Sequence, residues 1–151
     1  MEDRNANLKK LASYLDTLPD DYNRFEMAGF LSYDGTTFGL SYDATTRYLL
    51  CELPLNECGS IACAVGHGPN AGICMTPEEA YHESFSSYTR RCFIDTGTRE
   101  FLWMFGGSWS DADNTAKGAA ARIRYYLDRG VPGDFHWPED FDITRYQEYR
   151  K

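Results

Sequence analysis

Residues 58 to 68 read CGSIACAVGHG, two cysteines and a histidine set among very small residues. Two kinds of chemistry use such a set. A cysteine in the first turn of a helix meets backbone N–H groups that favour its thiolate, and with a histidine as base it becomes a nucleophile. Cys58 takes that position if the stretch is helical. His67 would then lie roughly 13 Å further along the axis, at about 1.5 Å per residue, beyond reach of a direct hydrogen bond. A Cys58 nucleophile, acting as a hydrolase or transferase, therefore needs His82 or His136 as its base. CGSIAC bears only a loose likeness to the papain-type cysteine signature, and the rest of that pattern is absent.

The second chemistry is metal binding. Cys63 and His67 are four residues apart and share one face of a helix, while Cys58 is turned about 140° away from them. Cys74 is a further sulfur ligand. No paired short spacing of the zinc-finger kind occurs, so Cys63 and His67 are weak metal candidates, and no cofactor is expected. Against both chemistries stands a packing explanation. Gly59, Ala62, Ala64, Gly66 and Gly68 suit a helix that approaches its neighbours closely, with cysteine as a small buried hydrophobe and His67 as a core or capping histidine.

Rings and arginines offer a different kind of site. The chain has three tryptophans, eleven tyrosines and nine phenylalanines, enough to line a pocket that stacks a planar ligand. Trp103 and Trp109 are the candidate lining, with Arg90 and Arg122 as candidate ligand-binding cations, and Arg91 and Arg124 near them in sequence. The run DADNTAKG places oxygens at 111, 113 and 115 like a calcium loop. Its sixth position is Ala116 where that loop needs glycine, and its twelfth is Arg122 where it needs glutamate, so it is expected to be a helix cap.

The whole chain sets limits on these sites. Fifteen basic residues against twenty-three acidic give a charge of −8, which repels duplex nucleic acid and anionic lipid surfaces. No run of about eighteen apolar residues is present, nor an apolar core of signal-peptide length at MEDRNANLKK. The protein is expected in the cytoplasm, where five cysteines remain thiols. At 151 residues the expected organisation is a single domain over 1–151, with 1–5 and 146–151 fraying.

The elements that must position the sites can be read in turn. In NANLKKLASYLDTLP, Leu8, Leu11, Ala12, Leu15 and Leu18 fall on one helical face, with Asn5 or Asn7 as cap and Pro19 as stop. Between Phe25 and Cys51 the extended segments AGFLSY and TTFGLSY flank Asp34-Gly35, the pattern of a hairpin. Residues 44–56 and 92–109 fit both helix and strand periods. Gly66, Gly68 and Pro69 are the expected stop after the opening stretch. Thr76, Pro77 and Glu79 form a capping box before a helix carrying Tyr81, Phe85 and Tyr88. Asn114 or Thr115 caps a last helix whose inner face is Ala119, Ala120, Ile123 and Leu127, which Gly130 and Pro132 end. Asp111 and Asp113 precede it, where its dipole favours negative charge. The rings of the tail are expected to pack back on the domain. The fold class expected is α+β, a helix-rich single domain with a small antiparallel hairpin or sheet, with mainly α as the alternative.

Two stretches, CGSIACAVGHGP and WMFGGSWSDADNTAKGAAARIRYYLDRGVP, together with the leucine-rich helix ending in LP, resemble a group of small uncharacterised proteins of bacterial and tailed-phage genomes. The likeness runs in order along most of the chain and is weakest over 25–51 and 85–100. It implies a cytoplasmic accessory protein, bacterial or phage-encoded. The abundance of rings, the acidic charge and the lack of a complete catalytic or metal set lead to the expected function, binding of a small molecule, a nucleotide signal in a counter-defence role being one form, or of a protein partner, without covalent chemistry.

Overall fold

The computed structural model describes residues 3–19, 31–33, 36–38, 60–62, 64–74 and 85–151, with backbone alone along its strands and at Phe85. The first helix, α1 (Arg4–Leu15), buries Leu8, Leu11, Ala12 and Leu15, the apolar face its spacing predicts. Its cap is Asp3, whose carboxylate accepts the Ala6 N–H at 3.0 Å, rather than Asn5 or Asn7. Asn7 is free of capping duty and instead donates its amide to the Cys92 carbonyl at 3.0 Å. The helix stops at Leu15, and Leu18 is buried beyond it.

Three short strands follow among the described residues: β1 (Leu31–Tyr33), β2 (Thr36–Phe38) and β3 (Ser60–Ala62). They form one antiparallel sheet in the order β2-β1-β3, with Ser32 opposite Thr37 on one side and Ile61 on the other. The helix expected across 58–68 is therefore corrected. Ser60–Ala62 is extended and paired, and only Val65–His67 winds, as a 3-10 turn. Gly59, Ser60 and the β-branched Ile61 give this stretch little intrinsic preference for a helix, and pairing of Ser60–Ala62 with β1 offers its backbone another set of partners.

A second 3-10 turn, Pro69–Ala71, ends at Gly72 in the left-handed region with φ of 71°. Gly68 has an ordinary helical φ of −55°. What it supplies is space, since a Cβ there would meet the Tyr88 hydroxyl at 2.3 Å. Tyr88, on α2 (Phe85–Cys92), is buried and donates that hydroxyl to the Ile73 carbonyl at 2.8 Å. The expected capping box at Thr76, Pro77 and Glu79, with Tyr81, lies outside the described residues.

The ambiguous run 92–109 becomes α3 (Arg99–Phe105), capped by Thr98, then a 3-10 turn over Gly107–Asp111. Helix α4 (Ala116–Arg129) starts at Thr115, whose hydroxyl accepts the Gly118 N–H at 3.0 Å, and ends at Gly130 with φ of 74°. It buries Ala119, Ala120 and Ile123, and Leu127 is half-buried. Helix α4 packs on α1, on α3 and on the 3-10 segment Ile143–Tyr149. Asp16 joins the first of these contacts, accepting from Arg124 through its carboxylate and from Lys117 through its carbonyl at 3.3 Å.

The core lies between α4, α3 and the tail, and Trp103 is at its centre. Its ring is 5.0 to 5.7 Å from those of Phe141, Phe135, Tyr125, Trp109 and Tyr146, and its indole N–H donates to the Arg122 carbonyl at 3.0 Å. The tail rings pack back, but the fraying expected over 146–151 does not occur at Tyr146, which is completely buried. At the other end, Arg4 already belongs to α1.

The fold class is corrected as well. Among residues described with their side chains there is no strand, and every described core residue lies in a helix, a 3-10 turn or a segment joining them. The architecture is mainly α in place of α+β. Alanine-rich α4 allows close approach of its neighbours, so large rings on α3 and the tail fill the space between them.

Candidate functional site

The structure separates the residues singled out by sequence. Cys58, Cys63 and His82 lie outside the described residues. His136 is exposed on the loop before Trp137. His67 is fully buried, its ring 6.1 Å from that of Tyr14, a core histidine beside the first helix. The helical spacing used to relate Cys58, Cys63 and His67 does not apply to a strand followed by a turn. Among the described residues no three His, Cys, Asp or Glu side chains come together in a way that could hold a metal ion.

The ligand-binding candidates divide too. Arg90 is exposed in the last turn of α2, with its carbonyl held by Arg4. Trp103, Trp109 and Arg122 are each fully buried, so the two indoles are core rings rather than the lining of an open pocket. Arg122 and Trp109 do meet, with the guanidinium carbon 4.1 Å from the indole centroid. No hydrogen bond or ion pair among the described residues connects Arg90 to this group.

Arg122 reaches the interior because it is seven residues after the Thr115 cap, about 700° of rotation, and so returns to within roughly 20° of the cap's own face. Asp113, two residues before that cap, folds over the first turn of α4. Its carboxylate accepts the Thr115 hydroxyl at 2.6 Å and the Tyr146 hydroxyl at 2.7 Å. It would collide with any side chain at Gly118, where a Cβ would lie 2.1 Å from Oδ2. Glycine at 118 is what lets the carboxylate sit there.

Arg122 is only partly satisfied beside this carboxylate. Arg122 Nη1 is 3.5 Å from Asp113 Oδ2, 3.5 Å from the Asp113 carbonyl and 3.2 Å from the Tyr146 hydroxyl. The first two are at the outer limit of hydrogen bonding. Arg150 Nη1 approaches the same Oδ2 at 3.7 Å and donates to Thr115 Oγ1 at 3.3 Å. One carboxylate thus serves two guanidiniums and two hydroxyls. The other edge of Arg122, Nε and Nη2, is buried without an acceptor.

Burial sets the electrostatics. Desolvation lowers the Arg122 pKa, opposed by Tyr146 and Asp113. Desolvation also pushes Tyr146 well above the usual phenol range, with Arg122 working the other way and the bond to Asp113 reinforcing the rise. Tyr146 is a neutral hydroxyl at all ordinary pH. The cluster can hold or orient a charged group, but it has no nucleophile and no base with an open side.

Sequence reasoning found Arg122 and missed Asp113, Thr115, Tyr146 and Arg150 as its company. A signal was present, since Arg122 falls three residues after Ala119 and beside Ile123, on the face read as buried. A cation on that face requires a carboxylate, and Asp113 was within reach of the same cap.

No family model, no curated protein and no solved structure matches the chain. Among the described residues no helix is long and apolar enough to cross a membrane.

Proposed function

We propose that the protein is an accessory protein that binds a small molecule without covalent chemistry, with Arg122 as the residue that meets it. The carrying observation is the Nε–Nη2 edge of Arg122, fully buried and without an acceptor. A buried polar group in this state costs about 1–3 kcal/mol, more when charged, so an unsatisfied guanidinium edge calls for an occupant. Trp109 against the guanidinium and the neutral Tyr146 hydroxyl give that occupant an apolar wall and a polar partner. The acidic charge of the chain and the lack of a described nucleophile–base pair support binding over turnover. Residence in the cytoplasm and a role in phage or bacterial signalling belong to the same proposal.

Calorimetric titration with a panel of 3′,5′-cyclic nucleotides and small carboxylic acids tests this. Saturable heat is expected with at least one, and the ligand should be recovered chemically unchanged. No heat from any of them at high concentration, or conversion of the ligand, would sink the reading. A protein partner is favoured by one observation, Trp137, a large hydrophobic side chain that stands 44% exposed.

A further inference from the structure

We infer that the loop around Trp137 is a docking surface for an arginine-bearing basic segment of a protein partner, with a guanidinium laid on the indole and answered by Glu139 and Asp140. This rests on the protein-partner reading of Trp137 and is independent of the Arg122 site. Twice within the molecule an arginine lies over a ring with a carboxylate facing it: Arg122 over Trp109 beside Asp113, and Arg145 over Phe141 beside Asp134. At Trp137 the ring and the carboxylates are present and the cation is not. The indole is exposed, and among the described residues no ring contact reaches it, no cation lies over it and its N–H meets no acceptor. Among aromatic side chains tryptophan is the strongest acceptor of a cation on its face.

The carboxylates follow it directly in the 3-10 turn Pro138–Asp140. The Asp140 N–H donates to the Trp137 carbonyl at 3.2 Å, so positions 137 and 140 are neighbours across one turn. Glu139 and Asp140 are both exposed, and neither has an ion pair or a side-chain hydrogen bond among the described residues. The other two acids of the loop are occupied, Asp134 by Arg145 at 2.5 Å and Asp142 by the Thr144 N–H and hydroxyl at 3.0 and 2.7 Å. A second turn, Gly107–Asp111, packs against Pro138–Asp140 and ends on an exposed acid, Asp111, that also lacks an ion pair among the described residues. Such a field repels phosphate and anionic lipid and attracts a basic chain. Arginine suits it better than lysine, because a planar guanidinium stacks on a ring while its N–H groups reach carboxylates.

The loop is also held in place before any partner arrives. Arg99 donates to the Pro132 and Phe135 carbonyls, and Phe135 and Pro138 are buried on either side of Trp137. Little ordering is left to be done on binding, which lowers its cost.

The test is NMR titration of the isotope-labelled protein with the peptide GRGRGRG, following the tryptophan indole N–H resonances, beside GKGKGKG and the uncharged GSGLGSG. The Trp137 resonance, identified by its loss in Trp137→Phe, should move saturably with the arginine peptide while those of Trp103 and Trp109 stay. In calorimetry Trp137→Ala, which leaves the net charge unchanged, should weaken binding about fivefold. Glu139→Gln combined with Asp140→Asn should weaken it by about as much and flatten its salt dependence. The lysine peptide should bind about threefold more weakly than the arginine one. Should a variant fail to fold, the resonance shift in the unaltered protein gives the answer without it. Equal binding by Trp137→Ala, or a bound peptide that leaves the Trp137 resonance unmoved, would place the basic segment elsewhere and overturn the inference. Equal affinity for the lysine peptide would overturn the choice of arginine. Movement with GSGLGSG and not with GRGRGRG would overturn the cationic class and uphold a protein partner. Movement on dilution of the protein alone would make the occupant a second copy, broadening by phosphatidylcholine vesicles would make it a lipid surface, and either overturns the inference. No response of Trp137 to any of these would remove the partner reading too, while heat from the calorimetric ligand panel would still uphold the Arg122 site.

Discussion

Arg122 and Arg145 have the same company in two different settings. Each lies over an aromatic ring, Trp109 at 4.1 Å and Phe141 at 4.9 Å, and each faces a carboxylate, Asp113 at 3.5 Å and Asp134 at 2.5 Å. The side chains of the inner pair are 0% and 3% exposed, those of the outer pair 40% and 66%. Their pKa values move in opposite directions. Burial lowers that of Arg122, and the hydrogen bond that Arg145 donates to Asp134 raises its own. The shorter pair is the one in water, where the interaction is screened and of little consequence to stability. The longer pair has no solvent to fall back on, so its imperfect geometry matters.

Removing the inner carboxylate should have the largest effect. Asp113→Asn leaves Arg122 buried without its counter-ion and should cost about 3–5 kcal/mol in chemical denaturation. A loss no greater than that of Asp134→Asn would erase the distinction between the two settings.

Alkaline titration sharpens it next. Tyr146 has a raised pKa when folded, so the stability it contributes is intact below the unfolded phenol value, about 10, and is lost as pH rises through and beyond it. Phenolate absorbance should show the exposed tyrosines ionising first, with Tyr146 ionising only as the chain unfolds. Ionisation of every tyrosine in one step with the fold intact would mean that water reaches the cluster.

Gly118→Ala is a finer probe, because its sign is diagnostic. In an ordinary helix interior the change stabilises by up to about 1 kcal/mol, but here the added Cβ meets the Asp113 carboxylate. A loss of about 1–3 kcal/mol is expected, and a gain would show that the carboxylate moves aside at no cost. The smallest effect belongs to Arg145→Ala, whose denaturation midpoint should stay within the scatter of replicate measurements.

These contrasts bear on what a sequence discloses. The apolar face of α1 and the cap and stop of α4 were legible, since period, Thr115 and Gly130 are local signals that the surroundings reinforce. The cap of α1 was not, because Asp3, Asn5 and Asn7 are equally good local candidates and only the contact of Asn7 with Cys92 decides among them. The stretch 58–68 misled for a related reason. Small residues permit close approach in either a helix or a strand, and pairing with β1 is a contact between distant parts of the chain. The same limit made the class α+β in expectation and mainly α in structure. At the candidate site, Arg122 was visible and its geometry was not. That one guanidinium edge is satisfied and the other is not depends on where Asp113 and Tyr146 arrive from either side of α4 in the chain.

The three tryptophans have a consequence of their own. Trp103 and Trp109 are sealed in the interior, while Trp137 sits in solvent on a loop stapled by Arg99, which donates to the Pro132 and Phe135 carbonyls at 3.0 and 2.7 Å. The molecule thus contains two lamps of different colour, a blue-shifted pair that reports on the packed centre and a red-shifted one that reports on the rim. With Trp137 replaced by phenylalanine, emission comes from the ring beside Arg122 and its immediate neighbour, so events at that guanidinium become visible in the unlabelled protein.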